Sequence, residues 1–531
     1  MKQQIYDEIH KILARDFVLE SPKDKNLAHF ACPLAFTLAK ELKCSPVQIA
    51  QQLADKFKAH SCFQAVEAVN GYVNFKLSKS FLNALATKAL QNPNDFGKDE
   101  PKKMKFLLEF VSANPTGPLH IGHARGAIFG DTLVRLGRHL GYCFDTEYYI
   151  NDAGKQIKLL GLSVLLAVRQ HYLKEEVIYP DEYYKGDYII DLAKLAFDEF
   201  KPDFFNEANL SKLALWAKDK MLEVIKQDLQ KARVEIENFV SETSYYAELN
   251  SILNSLKQKG GVYEKEGKIW LASSLKGDEK DRVIVNEKNE HSYLAADIVY
   301  HADKMKRNYD KCINIWGADH HGYIARVKAA LQFLGFDSSK LEIILAQMVS
   351  LLENGKPYKM SKRAGNFILM DEILDEIGSD ALRFIFLSKK CDTHLEFDID
   401  ALKKQDSSNP VFYINYAHAR IYQVFAKANK GFDEVLNADC EKLNDEGANL
   451  LFESLNLKSV LQSAFEERAL QKLSDYLKNL ASTFHKFYSE NKVIGSANED
   501  SLLKLFAVVA LSIKTALNIM GIQAQKKMGL D

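Results

Sequence analysis

The alternation of apolar and polar positions changes character several times along the chain. Residues 1 to about 90 mix amphipathic helical periods, beginning with MKQQIYDEIHKILARDF, with an alternating stretch, GYVNFKL (71–77), that predicts a strand. The polar, turn-rich QNPNDFGKDEPKK (91–103) predicts a linker. KFLLEFV (105–111) is apolar on both faces, as a central strand of a parallel sheet must be when helices cover both sides. It runs into the breakers of SANPTGP and then into a helix from about His120. Ile128, Leu133, Leu136 and Leu140 give that helix one apolar stripe, and Gly141 is placed to end it. Strand, turn and helix make half of a βαβ unit. From about 160 to 280 helical patterns and charge dominate, which predicts an insertion. CINIWG (312–317) and LEIILAQMV (341–349), separated by a helical pattern, predict that the parallel sheet resumes. Beyond about Asn409 the pattern is almost wholly helical, with few Pro or Gly, and predicts a bundle.

Composition narrows this picture. A chain of 531 residues exceeds one ordinary core and predicts about three domains. With 47% hydrophobic and 11% aromatic residues it is not a disordered chain. The formal net charge of -1 means that bulk charge does not announce a nucleic-acid partner, so any basic surface must be local. The 7 cysteines (32, 44, 62, 143, 312, 391, 440) are scattered, with no CxxC pair, which predicts reduced thiols in a cytosolic protein and no zinc site. The N-terminus lacks the apolar core of a signal peptide. The most apolar late segment, 502–521, contains Lys504 and Lys514 and predicts a buried bundle helix rather than a membrane span.

Two short motifs carry the candidate chemistry. ANPTGPLHIGH (113–123) sets His120 and His123 around Gly122 at a strand-to-helix turn. Free N–H groups at a helix start, with the positive end of its dipole, make an anion site. Gly117 and Gly122 remove the Cβ atoms that would keep a nucleotide away, and both histidines can donate to phosphate oxygens. Alone, HxGH also fits a helix start with no ligand. NGKPYKMSKRAGN (354–366) puts Lys359, Lys362 and Arg363 on a loop between breakers. Two ammonium groups suit a leaving pyrophosphate, whose charge grows during α-phosphoryl transfer, although a lone lysine cluster is more often a solvated loop.

Glu109 is the odd residue in an apolar strand. A buried carboxylate must be paired or neutralised, and this one lies at the carboxyl end of the strand, where open α/β sheets bind ligands. A cationic substrate or an internal salt bridge would satisfy it equally. Asp297, in HSYLAADIVYHADK (291–304), raises the same question, with Tyr293 one helical turn earlier and able to stack on a cation. There is no P-loop, GxGxxG or HExxH. The adjacent His320 and His321 point in different directions and have no third metal ligand at suitable spacing.

These residues resemble the class I aminoacyl-tRNA synthetases, most closely the bacterial-type arginyl-tRNA synthetases. The resemblance runs through EFVSANPTGPLHIGHARGAIFGDTLVRLGRHLGY, YYINDAGKQI (148–157), DRVIVNEKNEHSYLAADIVYHADK, WGADHHGY and KMSKRAGNF. GSDALRFIFL (378–387) and NPVFYINYAHARI (409–421) lead into what resembles the family's DALR-type anticodon-binding domain. The match spans essentially the whole chain and is weakest at the N-terminus. NLAHFACPLAF (26–36) departs from the family's usual pattern there, the common C-terminal PERM appears as QKKM (525–528), and the KMSK motif is intact where many members lack it.

The resemblance implies an α/β Rossmann-type (HUP-like) parallel-sheet catalytic domain with an insertion, a small α+β N-terminal domain and an all-α C-terminal anticodon-binding bundle. The expected bounds are 1–92 for the N-terminal tRNA-binding domain, 103–400 for the catalytic domain with its insertion at about 160–280, and 405–531 for the bundle. It implies that L-arginine is joined to tRNA(Arg) through arginyl-adenylate, with ATP and Mg2+ as the nucleotide substrate, in a cytoplasmic monomer with no membrane partner. His120, His123, Lys359 and Lys362 would be catalytic. Gly117, Gly122, Met360 and Ser361 would join them around ATP. Glu109, Ser112, Asn114, Tyr293, Asp297 and either Asp319 or His320 would hold arginine, with Glu109 on the guanidinium. Tyr413, Asn415, Tyr416 and Met528 are candidates for tRNA contact. Two rivals are another nucleotidyltransferase of the superfamily, which would not need the helical bundle, and a non-catalytic tRNA-binding relative, which would not need all four motif histidines and lysines.

Overall fold

The alternation near residue 71 arises in a three-stranded antiparallel sheet, β1 (Phe30–Cys32), β2 (Phe63–Val69) and β3 (Tyr72–Leu77), in the order β1-β3-β2. Asn70 and Gly71, both at positive φ, close the β2–β3 hairpin, an Asn-Gly pair suited to the right-handed twist of the strands. Val73, Phe75 and Leu77 point inward from β3. The computed structural model describes residues 1–22, 28–358 and 367–528. It divides into two units: residues 100–404, and residues 1–99 together with 405–531. The N-terminal region and the C-terminal bundle, expected as separate domains, thus pack as one unit.

The bundle has helices at Pro410–Ala428, Asp445–Leu455, Leu457–Glu466, Gln471–Glu490 and Glu499–Ile519. By length and composition the last could cross a membrane, but 89% of its apolar window is buried inside the protein, so it is a core helix. Lys504 lies on it with 0% exposure. Its ammonium is satisfied by Asn83 Oδ1 at 2.6 Å, Thr87 Oγ1 at 2.8 Å and the Ala438 carbonyl at 2.8 Å. Asn83 and Thr87 belong to the helix Lys79–Gln91, so this one side chain joins the N-terminal region to the bundle. Lys504→Ala should cost at least about 2 kcal/mol in thermal or urea unfolding, since it leaves a cavity and buried acceptors without a donor.

The other unit is built on five parallel strands. β4 (Lys105–Glu109), β5 (Cys143–Ile150) and β6 (Asn238–Ser241) run to one edge. β7 (Val262–Lys265), β8 (Lys268–Leu271) and β9 (Arg282–Val285) form a separate antiparallel sheet. β10 (Lys311–Gly317) and β11 (Leu341–Ala346) complete the parallel sheet in the order β11-β10-β4-β5-β6. β12 (Val349–Glu353), β13 (Lys356–Pro357) and β14 (Leu395–Asp398) make a third small sheet. The strand order reverses between β4 and β10, so the crevice at their carboxyl ends is a topological switch point.

Three details differ from the sequence reading. The strand expected over 105–111 ends at Glu109, because Val111 (φ 71°) and Ser112 (φ 41°) enter the left-handed region. The run 341–349 splits between β11 and β12, which lie in different sheets. The span 160–280 is not only helical: β6 is the edge strand of the main sheet, and β7 and β8 fall in the same span. These four-residue strands are too short to establish a period-2 signal among charged neighbours.

Candidate active site

The helix Ile121–His139 starts at the carboxyl edge of β4. His120 is its N-cap, and a capping box is made from two histidines: His120 Nδ1 accepts from Gly122 N–H at 3.1 Å, and His123 Nδ1 accepts from His120 N–H at 3.3 Å. The rings stack at 3.5 Å between centroids. An Nδ1 that accepts carries no proton, so each neutral ring has its proton on Nε2. Burial keeps both neutral. It lowers the pKa of His120, and it lowers that of His123 to about 3, with the adjoining His120 imidazole disfavouring a second proton there. The turn thus presents two fixed Nε2–H donors beside the helix N-terminus. Gly122 is required by this turn itself, since a Cβ there would lie 2.9 Å from His120 Cε1. At Gly117 a Cβ would meet only Tyr188 at 3.5 Å, an ordinary contact.

The turn is braced from several sides. Leu119 N–H donates to the buried Asp228 carboxylate at 3.2 Å, on the helix Leu210–Lys231. Ile121 N–H donates to the Ile368 carbonyl, and Met370 N–H donates to that of Leu119, both at 2.9 Å. Phe367 stacks on His120 at 5.3 Å. The histidine turn is therefore paired with the segment that follows the lysine motif. Lys359, Met360, Ser361, Lys362 and Arg363 themselves lie outside the described residues.

Beside the turn, carboxylates and phenols gather at the strand ends. Glu109 is 5% exposed and already has a cation: Lys304, from the helix Tyr293–Lys306, forms an ion pair with Oε2, while Ser112 Oγ donates to Oε1 at 2.9 Å. Of the two partners left open by the sequence, the protein supplies the internal one. Ser112 Oγ also accepts from Tyr149 N–H at 3.1 Å, so Ser112 is occupied with fixing the strand end. Asp297 is half-buried, and its carboxyl is pushed up to about 7, chiefly by burial; Glu109 and Glu242 add to this, while Tyr323 and Lys304 oppose it.

Glu242 escaped the sequence reading. It directly follows β6, is 3% exposed, and has one oxygen bonded to Tyr246 Oη at 3.0 Å. Its Oε2 is buried without a hydrogen-bond partner among the described residues. Burial raises its pKa, and the charge of Asp152 contributes. The Tyr149 phenol is raised by burial and then by the charges of Asp297, Glu242 and Glu109 in turn, so all three carboxylates lie in its neighbourhood. An acid at the carboxyl end of a parallel strand, the last residue of β4 in Glu109 and the residue just past β6 in Glu242, was the available signal.

The remaining candidates separate. Tyr293 begins its helix one turn before Asp297, is 55% exposed, and sets its hydroxyl over Gly154. Asn114 accepts from Asn151 Nδ2 at 3.1 Å at the exposed edge of the turn. Asp319 and His320 are exposed on the segment Ala318–Tyr323, and the residue of that segment that reaches Asp297 is Tyr323. In the other unit, Asn415 is buried and its Oδ1 accepts from Gln525 N–H at 2.8 Å, which makes it a core anchor for the C-terminal tail rather than an exposed reader of bases. Tyr413 and Tyr416 are half-buried around His485, with centroids at 4.7 and 5.6 Å, and the Arg420 guanidinium lies 4.4 Å over Tyr416. Met528 is half-buried on that tail.

Comparison with known proteins agrees with this layout. Residues 1–77 match the arginyl tRNA synthetase N-terminal domain, residues 85–423 the catalytic domain of the class I (R) tRNA synthetases, and residues 414–528 the DALR anticodon binding domain. An arginine–tRNA ligase of Campylobacter lari is 70% identical over 531 residues, covering 100% of both chains. A solved structure described as an arginyl-tRNA synthetase of Campylobacter jejuni is 70% identical with TM-score 0.83, covering 85% of this chain and 100% of that one. Thermus thermophilus arginyl-tRNA synthetase shares the fold at TM-score 0.78 and 20% identity, over 99% of this chain and 100% of that one.

Proposed function

Since this chain belongs to the class I arginyl-tRNA synthetase family, we propose that it joins L-arginine to tRNA(Arg) in two steps at the expense of ATP. The arginine carboxylate attacks the α-phosphorus of magnesium-bound ATP. One P–O bond forms, the bond to pyrophosphate breaks, and arginyl-adenylate results. The 2′-hydroxyl of the terminal adenosine of tRNA then attacks the carbonyl and releases AMP. The protein contributes positioning and charge stabilisation. The Nε2–H groups of His120 and His123 donate to phosphate oxygens as charge builds, and Lys359 and Lys362 neutralise the leaving pyrophosphate.

The observation that carries the substrate assignment is the crowding of Glu109, Asp297 and Glu242, against which Lys304 is the only cation set among the described residues. Lys304 is committed to Glu109, so the guanidinium goes to Asp297 and Glu242, with Tyr149 and Tyr323 as walls. Planar, forked donors suit two carboxylates better than an ammonium does. Tyr413 and Tyr416, with Arg420 and His485, offer stacking faces for unpaired anticodon bases. Free cysteines support a reducing, cytoplasmic setting, and the enzyme is taken to act as a monomer.

A pH dependence follows. Asp297 must be ionised to hold a guanidinium, and its pKa in the free protein is about 7. kcat/KM for arginine should therefore fall by about tenfold per pH unit below that value and level off above it. The assignment is tested by ATP–pyrophosphate exchange with each amino acid, with and without tRNA. Exchange with arginine alone, requiring tRNA, is expected. Exchange with a different amino acid, or with none, overturns it.

A further inference from the structure

The groups behind the carboxylates form one directed chain of hydrogen bonds. Lys304 is 0% exposed, and its ammonium lies on Glu109, on Asn314 Oδ1 at 3.0 Å and 4.2 Å over the Tyr300 ring. Asn314, also 0% exposed, is the register partner of Glu109 on the neighbouring strand β10. Because its Oδ1 accepts from an ammonium, its Nδ2 is the donor that meets His301 Nε2 at 2.8 Å. His301 Nδ1 is 2.7 Å from the Asp297 carbonyl, which can only accept, so the imidazole proton sits on Nδ1. Donor and acceptor agree at each link from Lys304 through Asn314 and His301 to the backbone of Asp297. Burial keeps His301 neutral, with the Lys304 charge adding, so the chain does not reverse near pH 7.

We propose that Lys304, Asn314 and His301 are positioning residues for arginine, a relay that locks the Glu109 carboxylate and the helical turn bearing Asp297 into one mutual orientation. The inference rests on the arginine pocket proposed above. Left to themselves, neighbouring carboxylates repel and separate; arginine would then spend binding energy to regather them. A relay that fixes them beforehand removes that cost. Packing alone would need neither a buried ammonium nor a directed chain, and apolar side chains would fill the space without desolvating a charge.

The test uses the full-length protein in tRNA charging, with KM for arginine, KM for ATP and melting temperature measured on each preparation. His301→Leu and Asn314→Leu break the relay. His301→Gln keeps an amide N–H for the Asp297 carbonyl and an amide oxygen for Asn314. Both leucine variants should raise KM for arginine by about 10–100-fold with KM for ATP within about twofold, and His301→Gln should stay within about threefold of the parent. An unchanged KM for arginine, an equal rise in both KM values, or a glutamine variant as impaired as the leucine variant overturns the relay. If Asn314→Leu does not fold, the His301 pair decides. A parent protein that charges no tRNA with arginine overturns instead the function on which the relay rests.

Discussion

Asp297→Asn raises KM for arginine by on the order of a hundredfold and leaves KM for ATP nearly unchanged; this is the expected result of tRNA charging at pH 7.5. Removing one partner of a desolvated charge pair costs about 3 kcal/mol, or two powers of ten in affinity. Asparagine keeps the shape of the side chain and a carbonyl-type oxygen towards Tyr323, so the loss is one of charge. The same substitution should not lower the melting temperature. Asp297 sits among Glu109 and Glu242, and its raised pKa records the cost of ionising it there. A neutral amide relieves that cost, so the empty protein gains stability as it loses its substrate, a trade-off common where a site is built for a missing charge. An arginine KM within about threefold of the parent would remove Asp297 from the pocket.

His120→Asn separates two roles that one imidazole performs. Its Nδ1 caps the helix, and its Nε2–H, which has no hydrogen-bond partner among the described residues, can donate to a phosphate. Asparagine is among the preferred N-cap residues, and its Oδ1 can replace Nδ1 in accepting from Gly122 N–H. It lacks an atom where Nε2 stands. Thermal stability should therefore stay near that of the parent, while the rate of adenylate formation falls by about 10²–10³, the usual consequence of deleting one preorganised donor to a developing charge. Pre-steady-state formation of arginyl-adenylate in the presence of tRNA measures it. A near-normal rate with an intact fold would mean that Nε2 is not directed at the nucleotide.

The histidine turn was legible because its whole mechanism is local: strand, breakers, cap and helix lie within about twenty consecutive residues and obey short-range rules. The partner of Glu109 was not. Lys304 is 195 residues away and reads, in sequence, as an ordinary lysine in the last turn of a helix. Only the strand order, which sets β10 and the Tyr293–Lys306 helix beside β4, shows that it is buried. Glu242 was hidden for a related reason. The span around it reads in sequence as an insertion, yet β6 joins the main sheet and delivers an acid to the same rim as Glu109. Asn415 differs in the opposite sense: a polar residue on a bundle helix reads as a candidate for base contact, and in the fold it is buried and holds the C-terminal tail. Periodicity identifies which face of an element is apolar, but not which distant polar group a buried polar residue will meet.

The contact between Lys504 and the helix Lys79–Gln91 has a temporal consequence. Asn83 and Lys504 are 421 positions apart. At a synthesis rate of about 5–20 residues per second, roughly 20–80 seconds separate their emergence from the ribosome. During that interval the amino-terminal region has a face whose permanent cover does not yet exist, while the intervening unit can already close its own sheet. The amino-terminal face that Lys504 covers thus stays open to solvent until the last helix of the chain has been made.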